Sequence, residues 1–290
     1  MSLAPFRTAP MEIVAPQSMA ETDRAQLRQA VRDLEHRSLA TRLSGMLGQQ
    51  MNRIGKLLPA HWTAVVDSAT EKAILAGLNA AIRSLKTGRS QERSLWHKAA
   101  ATLSGAVGGA FGLASLPIEL PFSTLLMLRS IAAIAKAEGE DLSSPETIFA
   151  CMQVFAFAGE DSDERAKMEE RGLSESGYFA VRAVLAKSVS EAARYVIERG
   201  LAEETAPVIL RFVSQIAPRF GVVVSQKLAA QAVPIIGAAG GAAINYAFID
   251  HFQTVARGHF TVRRLERLYG AELVRAEYDA ALREAVPSFA

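Results

Sequence analysis

The chain has 290 residues, with 32 Lys and Arg against 30 Asp and Glu, so its formal charge is +2 with histidine neutral. That balance provides no whole-chain field to draw in nucleic acid or acidic substrates. Half of the residues are hydrophobic and 21% are charged; with a mean hydropathy of +0.13, the chain is apolar for a soluble domain yet too polar for a polytopic transporter. Its single cysteine, Cys151, cannot form an internal disulfide and suits a reducing compartment.

Residues 1–20 contain Pro5, Pro10 and Pro16 and no apolar run fit for the core of a secretory signal, so a disordered leader is expected. From Glu21 onward the pattern is helical. Leu27, Val31, Leu34, Leu39, Leu43, Leu47, Met51, Ile54 and Leu58 recur every three to five positions, with a break expected near Ser38. The opposite face is basic, with Arg24, Arg28, Arg32, Arg37, Arg42, Arg53 and Lys56 against Glu21, Asp23, Asp33 and Glu35. This basic amphipathic segment, residues 21–58, either packs on the domain as a surface helix or meets an anionic membrane.

Ala64–Leu85 is the next expected helix, and the polar stretch after it is a turn. Two uncharged segments then stand out: residues 99–118 (AAATLSGAVGGAFGLASLPI) and residues 228–249 (LAAQAVPIIGAAGGAAINYAFI). Each is long enough to span a bilayer, but Ala and Gly contribute little to insertion. Gly105, Gly108, Gly109 and Gly112 in the first, and Gly237, Gly240 and Gly241 in the second, recur at helical spacing. Small residues so placed let another backbone approach. Pro117, Pro121 and Pro234 are expected to kink or end helices beside the glycines, and Asn245 to hydrogen-bond across a helix interface. At an offset of 132 the two runs match in five small residues, which suggests paired elements.

Further helices are expected at Leu125–Ala137, Pro145–Ala158, Tyr178–Arg199 and Pro207–Ala217, with Gly139, Gly159 and Gly221 near their ends and Gly270 between two C-terminal helices. Val222–Val224 is too short to found a sheet. The fold class is therefore all-α: a multi-helix bundle with two central Ala/Gly-rich, proline-kinked hairpin segments, in a domain spanning residues 59–286.

Catalytic signals are weak. Asp250, His251 and His259 lie within ten residues, but His251 and His259 are more than two helical turns apart, so no metal is expected. Glu119 and Arg129 are the only charges between Ala99 and Ala135 and are expected to form a buried ion pair, or to pair with Asp250 or Arg257. The catalytic candidates are Glu119, Asp250, His251 and His259, around a polar cavity. Cys151 has apolar neighbours and reads as an inert thiol. No nucleotide fingerprint is present, so no cofactor is expected, and the acids among Arg263, Arg264 and Arg267 favour a solvated helix over RNA binding.

The stretches PIELPFSTLLMLRSIAAIA (117–135), CMQVFAFAG (151–159) and RFGVVVSQKLAAQAVPIIGAAGGAAINYAFIDHFQTVARGHFTVRRLERLYG (219–270) resemble the EcsC protein family, from about Leu58 to Tyr278. The resemblance implies a bacterial helical protein, cytoplasmic or membrane-associated, and it names no reaction and no site residue. The leading expectation is a non-enzymatic, membrane-associated accessory or interaction protein on the cytoplasmic face of the bacterial inner membrane. Its expected partners are an anionic membrane surface and a membrane protein such as a transporter, with no nucleic acid. A soluble hydrolase-type enzyme around Glu119 and His251, or a soluble helical scaffold, are the alternatives.

Overall fold

The computed structural model describes residues 18–35, 39–47, 60–87, 116–159, 177–199, 206–231 and 237–285. Among the described residues there are nine α-helices and no strand: α1 (Glu21–Glu35), α2 (Leu39–Leu47), α3 (Ala60–Thr87), α4 (Leu116–Ala137), α5 (Pro145–Phe157), α6 (Gly177–Arg199), α7 (Pro207–Gln231), α8 (Gly237–Tyr269) and α9 (Ala271–Ala285). The fold is an all-α multi-helix bundle, as the spacing of apolar residues predicts.

Helix α5 (PETIFACMQVFAF) has no polar face, and a helix apolar all round is stable only when surrounded. Every residue from Thr147 to Phe157 is buried, and α3, α4, α6, α7 and α8 pack around it. Phe149 meets Phe212 edge to face at 4.9 Å, Phe155 sits between Phe220 and Phe252, and Phe157 lies against Tyr178 and His259. The start of α5 is set locally: Ser144 in extended backbone accepts from the Glu146 amide, and Pro145 occupies the first turn, where its missing N–H costs nothing.

The amphipathic segment is part of this core. Leu27, Val31 and Leu34 of α1 are buried, and α1 lies against α8 and α9. The expected break near Ser38 lies outside the described residues, between α1 and α2. Its arginines meet the acids of α9: Arg24 pairs with Glu277 at 3.0 Å and Arg28 with Glu284 at 3.6 Å. These pairs offset the positive excess on that face.

Two sequence expectations need correction. Pro117 lies in the first turn of α4 and opens the helix, which continues through Pro121 to Ala137 and so begins nine residues before the expected Leu125. A first-turn proline is preorganised for a helix, and Pro121 forfeits one hydrogen bond without breaking the run. Helix α7 likewise continues past Ala217 to Gln231, carrying Pro218, Gly221 and the Val222–Val224 triplet inside it; burial of its apolar face overrides local propensity.

Among the described residues, two other glycines admit close packing. A Cβ on Gly159 would lie 1.9 Å from the Arg219 carbonyl oxygen, and one on Gly258 would lie 2.8 Å from Leu34. These positions let α5 end against the backbone of α7 and let α1 settle on α8. Gly241 meets nothing within 4 Å, so no close helix contact forms there. Gly105, Gly108, Gly109, Gly112 and Pro234 lie outside the described residues, as do the surroundings of Gly237 and Gly240.

Gly159→Ala forces two backbones apart and should cost about 3 kcal/mol or more, measured by chemical denaturation against an alanine placed at exposed Gly45, which should cost nothing.

Candidate functional site

Helices α4 and α8 pack against each other and run in the same direction. Near the start of α4, Lys227, towards the end of α7, bonds Glu119 Oε1 at 3.1 Å while its ammonium lies 4.9 Å from the ring centre of Phe248 on α8. At the other ends Arg264 of α8 bonds Glu138, just past α4, at 2.8 Å. The two helices are thus in step at an offset of about 126 to 129 residues, close to the 132 at which the glycine runs align.

The charges bounding the two uncharged segments therefore meet. Glu119 follows the first segment and Lys227 precedes the second. The expected partner of Glu119 was Arg129, but Arg129 lies ten residues along the same helix, a rise of about 15 Å. Lys227 is almost wholly buried, with a side chain 7% exposed against 40% for Glu119. The carboxylate and the Phe248 ring together partner its ammonium.

The remaining candidates each engage a separate partner. Asp250 forms a short bond with Arg42 of α2 and stands 3.8 Å from Arg257. His251 turns inward and donates from Nε2 to the Ala158 carbonyl at 2.9 Å, closing the C-terminal end of α5. Burial holds its pKa down to about 4, against the raising effect of that bond, with Arg42 lowering it further and Asp250 raising it. His259 lies eight residues on, about 12 Å along α8, and its Nδ1 is 2.8 Å from the Tyr178 hydroxyl.

Arg182 can only donate, and it reaches the same hydroxyl at 3.4 Å; the tyrosine proton is then free to point at His259. Arg182 also holds Glu266 through two bonds of 2.8 and 2.7 Å. Burial, and then Arg182 and Arg263, keep His259 neutral with a pKa well below its usual value. Glu35 completes this buried layer by accepting from the Tyr278 hydroxyl at 2.9 Å and the Tyr178 amide at 3.2 Å.

The four candidates thus serve a helix end, a core hydrogen bond and two ion pairs. Nδ1 of His251 and Nε2 of His259 are buried without a partner, and no three His, Cys, Asp or Glu side chains among the described residues are placed to hold a metal. Cys151 is buried, and its thiol is pushed up to about 12 by that burial, with smaller opposed effects from Glu140 and Arg263; it is held as the protonated thiol. Asn245 is half-buried and makes none of the expected cross-helix bond among the described residues. The C-terminal arginines are occupied as well: Arg263 and Arg267 both grip Glu140, and Arg264 bonds Glu138 and Asp23. Burial would raise the Glu140 pKa, but these two arginines hold it below its usual value.

What the spacing alone does not reveal is a continuous outward stripe on α8: Ala242, Tyr246, Ile249, Gln253 and Arg257. Tyr246 is 71% exposed and Ile249 38%. Helix α4 is equally incompletely covered: its apolar stretch Glu119–Ala137 is only 33% buried, although long and apolar enough to cross a membrane. Phe122, Leu125 and Leu126 are all half-buried.

The EcsC protein family matches residues 21–265 of the chain. No curated protein and no solved structure matches it.

The neutral histidines make a pH prediction. His251 has a folded pKa of about 4 against an unfolded value near 6.5, so below pH 6.5 the unfolded state binds the extra proton. Its stabilisation is complete above pH 6.5 and is lost as the pH falls towards 4, by about 3 kcal/mol. His251→Gln, which keeps a donor for Ala158, should flatten the stability profile over that window in urea titrations. An unchanged profile would exclude His251 as its source.

Proposed function

Since the chain belongs to the EcsC protein family, we propose that it is a non-enzymatic accessory protein that works against the cytoplasmic face of a bacterial membrane. The observation that carries this reading is the apolar N-terminal end of the α4–α8 pair. Tyr246 and Ile249 stand outward there, Phe122, Leu125 and Leu126 are half-covered, and both helices lead out of uncharged sequence. An amphipathic aromatic beside aliphatic side chains suits the boundary between acyl chains and headgroups. A membrane protein such as a transporter would meet the protein at the same surface. The separate use of Glu119, Asp250, His251 and His259 as internal partners gives the hydrolase alternative no shared centre. The scaffold alternative is favoured by α7, whose apolar stretch is 50% buried and serves as core.

Flotation with liposomes at low and high salt tests the proposal. Tyr246→Asp and Ile249→Asp should each lower vesicle binding at least about tenfold, while folding free energy stays within about 0.5 kcal/mol because both positions are exposed. A chain that does not float under any salt condition would favour the soluble scaffold.

A further inference from the structure

Most cations near the apolar end of the bundle already have carboxylates. Lys227 holds Glu119, and Arg42 holds Asp250. Two are less firmly held. Arg129 makes no ion pair among the described residues, although it sits half-buried in the least charged part of the chain. Arg257 is 49% exposed; it shares Asp250 with Arg42, lying 3.8 Å from that carboxylate in a looser ion pair, and it bonds Thr254 at 2.9 Å. The in-step packing of α4 and α8, at an offset of about 126 to 129 residues, places these two arginines at the same height along the bundle.

Their position relative to the apolar residues is equally regular. On α4, Phe122, Leu125 or Leu126, and Arg129 follow one another at helical spacing; on α8, Tyr246, Ile249 and Arg257 do the same. In both helices the cation stands C-terminal to the apolar group, about 10 Å from Phe122 and about 12 Å from Ile249. That is the spacing between a side chain dipping into acyl chains and a lipid phosphate at the headgroup level. A guanidinium with no carboxylate of its own, or only a shared and distant one, can present its donors in a fork to phosphate oxygens.

We propose that Arg129 and Arg257 form a belt that binds the phosphates of anionic phospholipids when the apolar starts of α4 and α8 enter the membrane. This inference rests on the membrane reading above and adds to it the lipid class, the residues and the direction of approach, with the bundle end-on. It also moves the electrostatic contact away from α1, whose Arg24 and Arg28 are paired with α9.

The test is flotation of the full chain with vesicles of phosphatidylcholine alone and of phosphatidylcholine mixed with phosphatidylglycerol, at matched low ionic strength. The unaltered chain should prefer the anionic vesicles. Arg129→Gln and Arg257→Gln should each reduce binding to them about fivefold, and the pair about twentyfold, with no change on neutral vesicles. Arg129→Lys and Arg257→Lys should retain most of the binding, which separates loss of charge from loss of fold. Equal binding to both vesicle types, or glutamine variants that bind anionic vesicles as well as the unaltered chain, overturns the belt. In those cases a binding loss in Tyr246→Ser would leave the membrane reading standing, whereas absence of flotation on every vesicle removes both. If inorganic phosphate raises the unfolding temperature of the unaltered chain but not of the double glutamine variant, and no vesicle binds, the arginines take free phosphate and the lipid assignment is wrong.

Discussion

Burying α5 on every side is the constraint on which the rest of the bundle depends. A helix with no polar face needs neighbours all round, and here α3, α4, α6, α7 and α8 supply them. Enclosing a helix also encloses its last carbonyls, which have no partner inside the helix. His251 reaches across from α8 to the Ala158 carbonyl, and Gly159 lets the chain leave against the backbone of α7 without a Cβ in the way. One histidine and one glycine thus solve the problem that the apolar sequence of α5 creates. The histidine remains neutral because its own burial outweighs the favourable field at a helix C-terminus.

Charge is arranged around this core with little left over. The turn between α4 and α5 offers Glu138 and Glu140 to three arginines of α8, and α9 offers Glu277 and Glu284 to α1. These pairs tie elements distant in sequence at the end of the bundle where α4 finishes. The opposite end, beside the start of α4, is held by the Lys227–Glu119 and Arg42–Asp250 pairs. The bundle is therefore polarised: one end laced by arginine and glutamate, the other carrying exposed Tyr246 and Ile249. The end-on membrane contact proposed above rests on that asymmetry.

Much of this was legible in residue spacing. The helical stripe of α1, the helices beginning at Pro145 and Pro207, the glycine turns at Gly139 and Gly270, and the inert Cys151 all follow from local chemistry. Gly139 and Gly270 take positive φ values of 81° and 85°, the conformation that favours glycine after a helix. Proline was the local signal that misled: Pro117, Pro121 and Pro218 all sit within helices, because surrounding contacts outweigh one missing hydrogen bond. The candidate site was less legible. Glu119 was recognised as needing a cation, but which one depends on bringing the end of α7 to the start of α4.

Sequence by itself determined the class of fold, the bounds of α5 and α6 and the presence of two uncharged segments bounded by Glu119 and Lys227, because periodicity and composition are properties of neighbours in the chain. Tertiary structure decided that those two bounding charges meet, that His251 and His259 face the core through different partners, and that Arg129 and Arg257 stand level along the bundle. The reason is physical: an ion pair, a capped carbonyl and an exposed stripe are defined by which surfaces the other helices cover, and no periodicity within one helix records that.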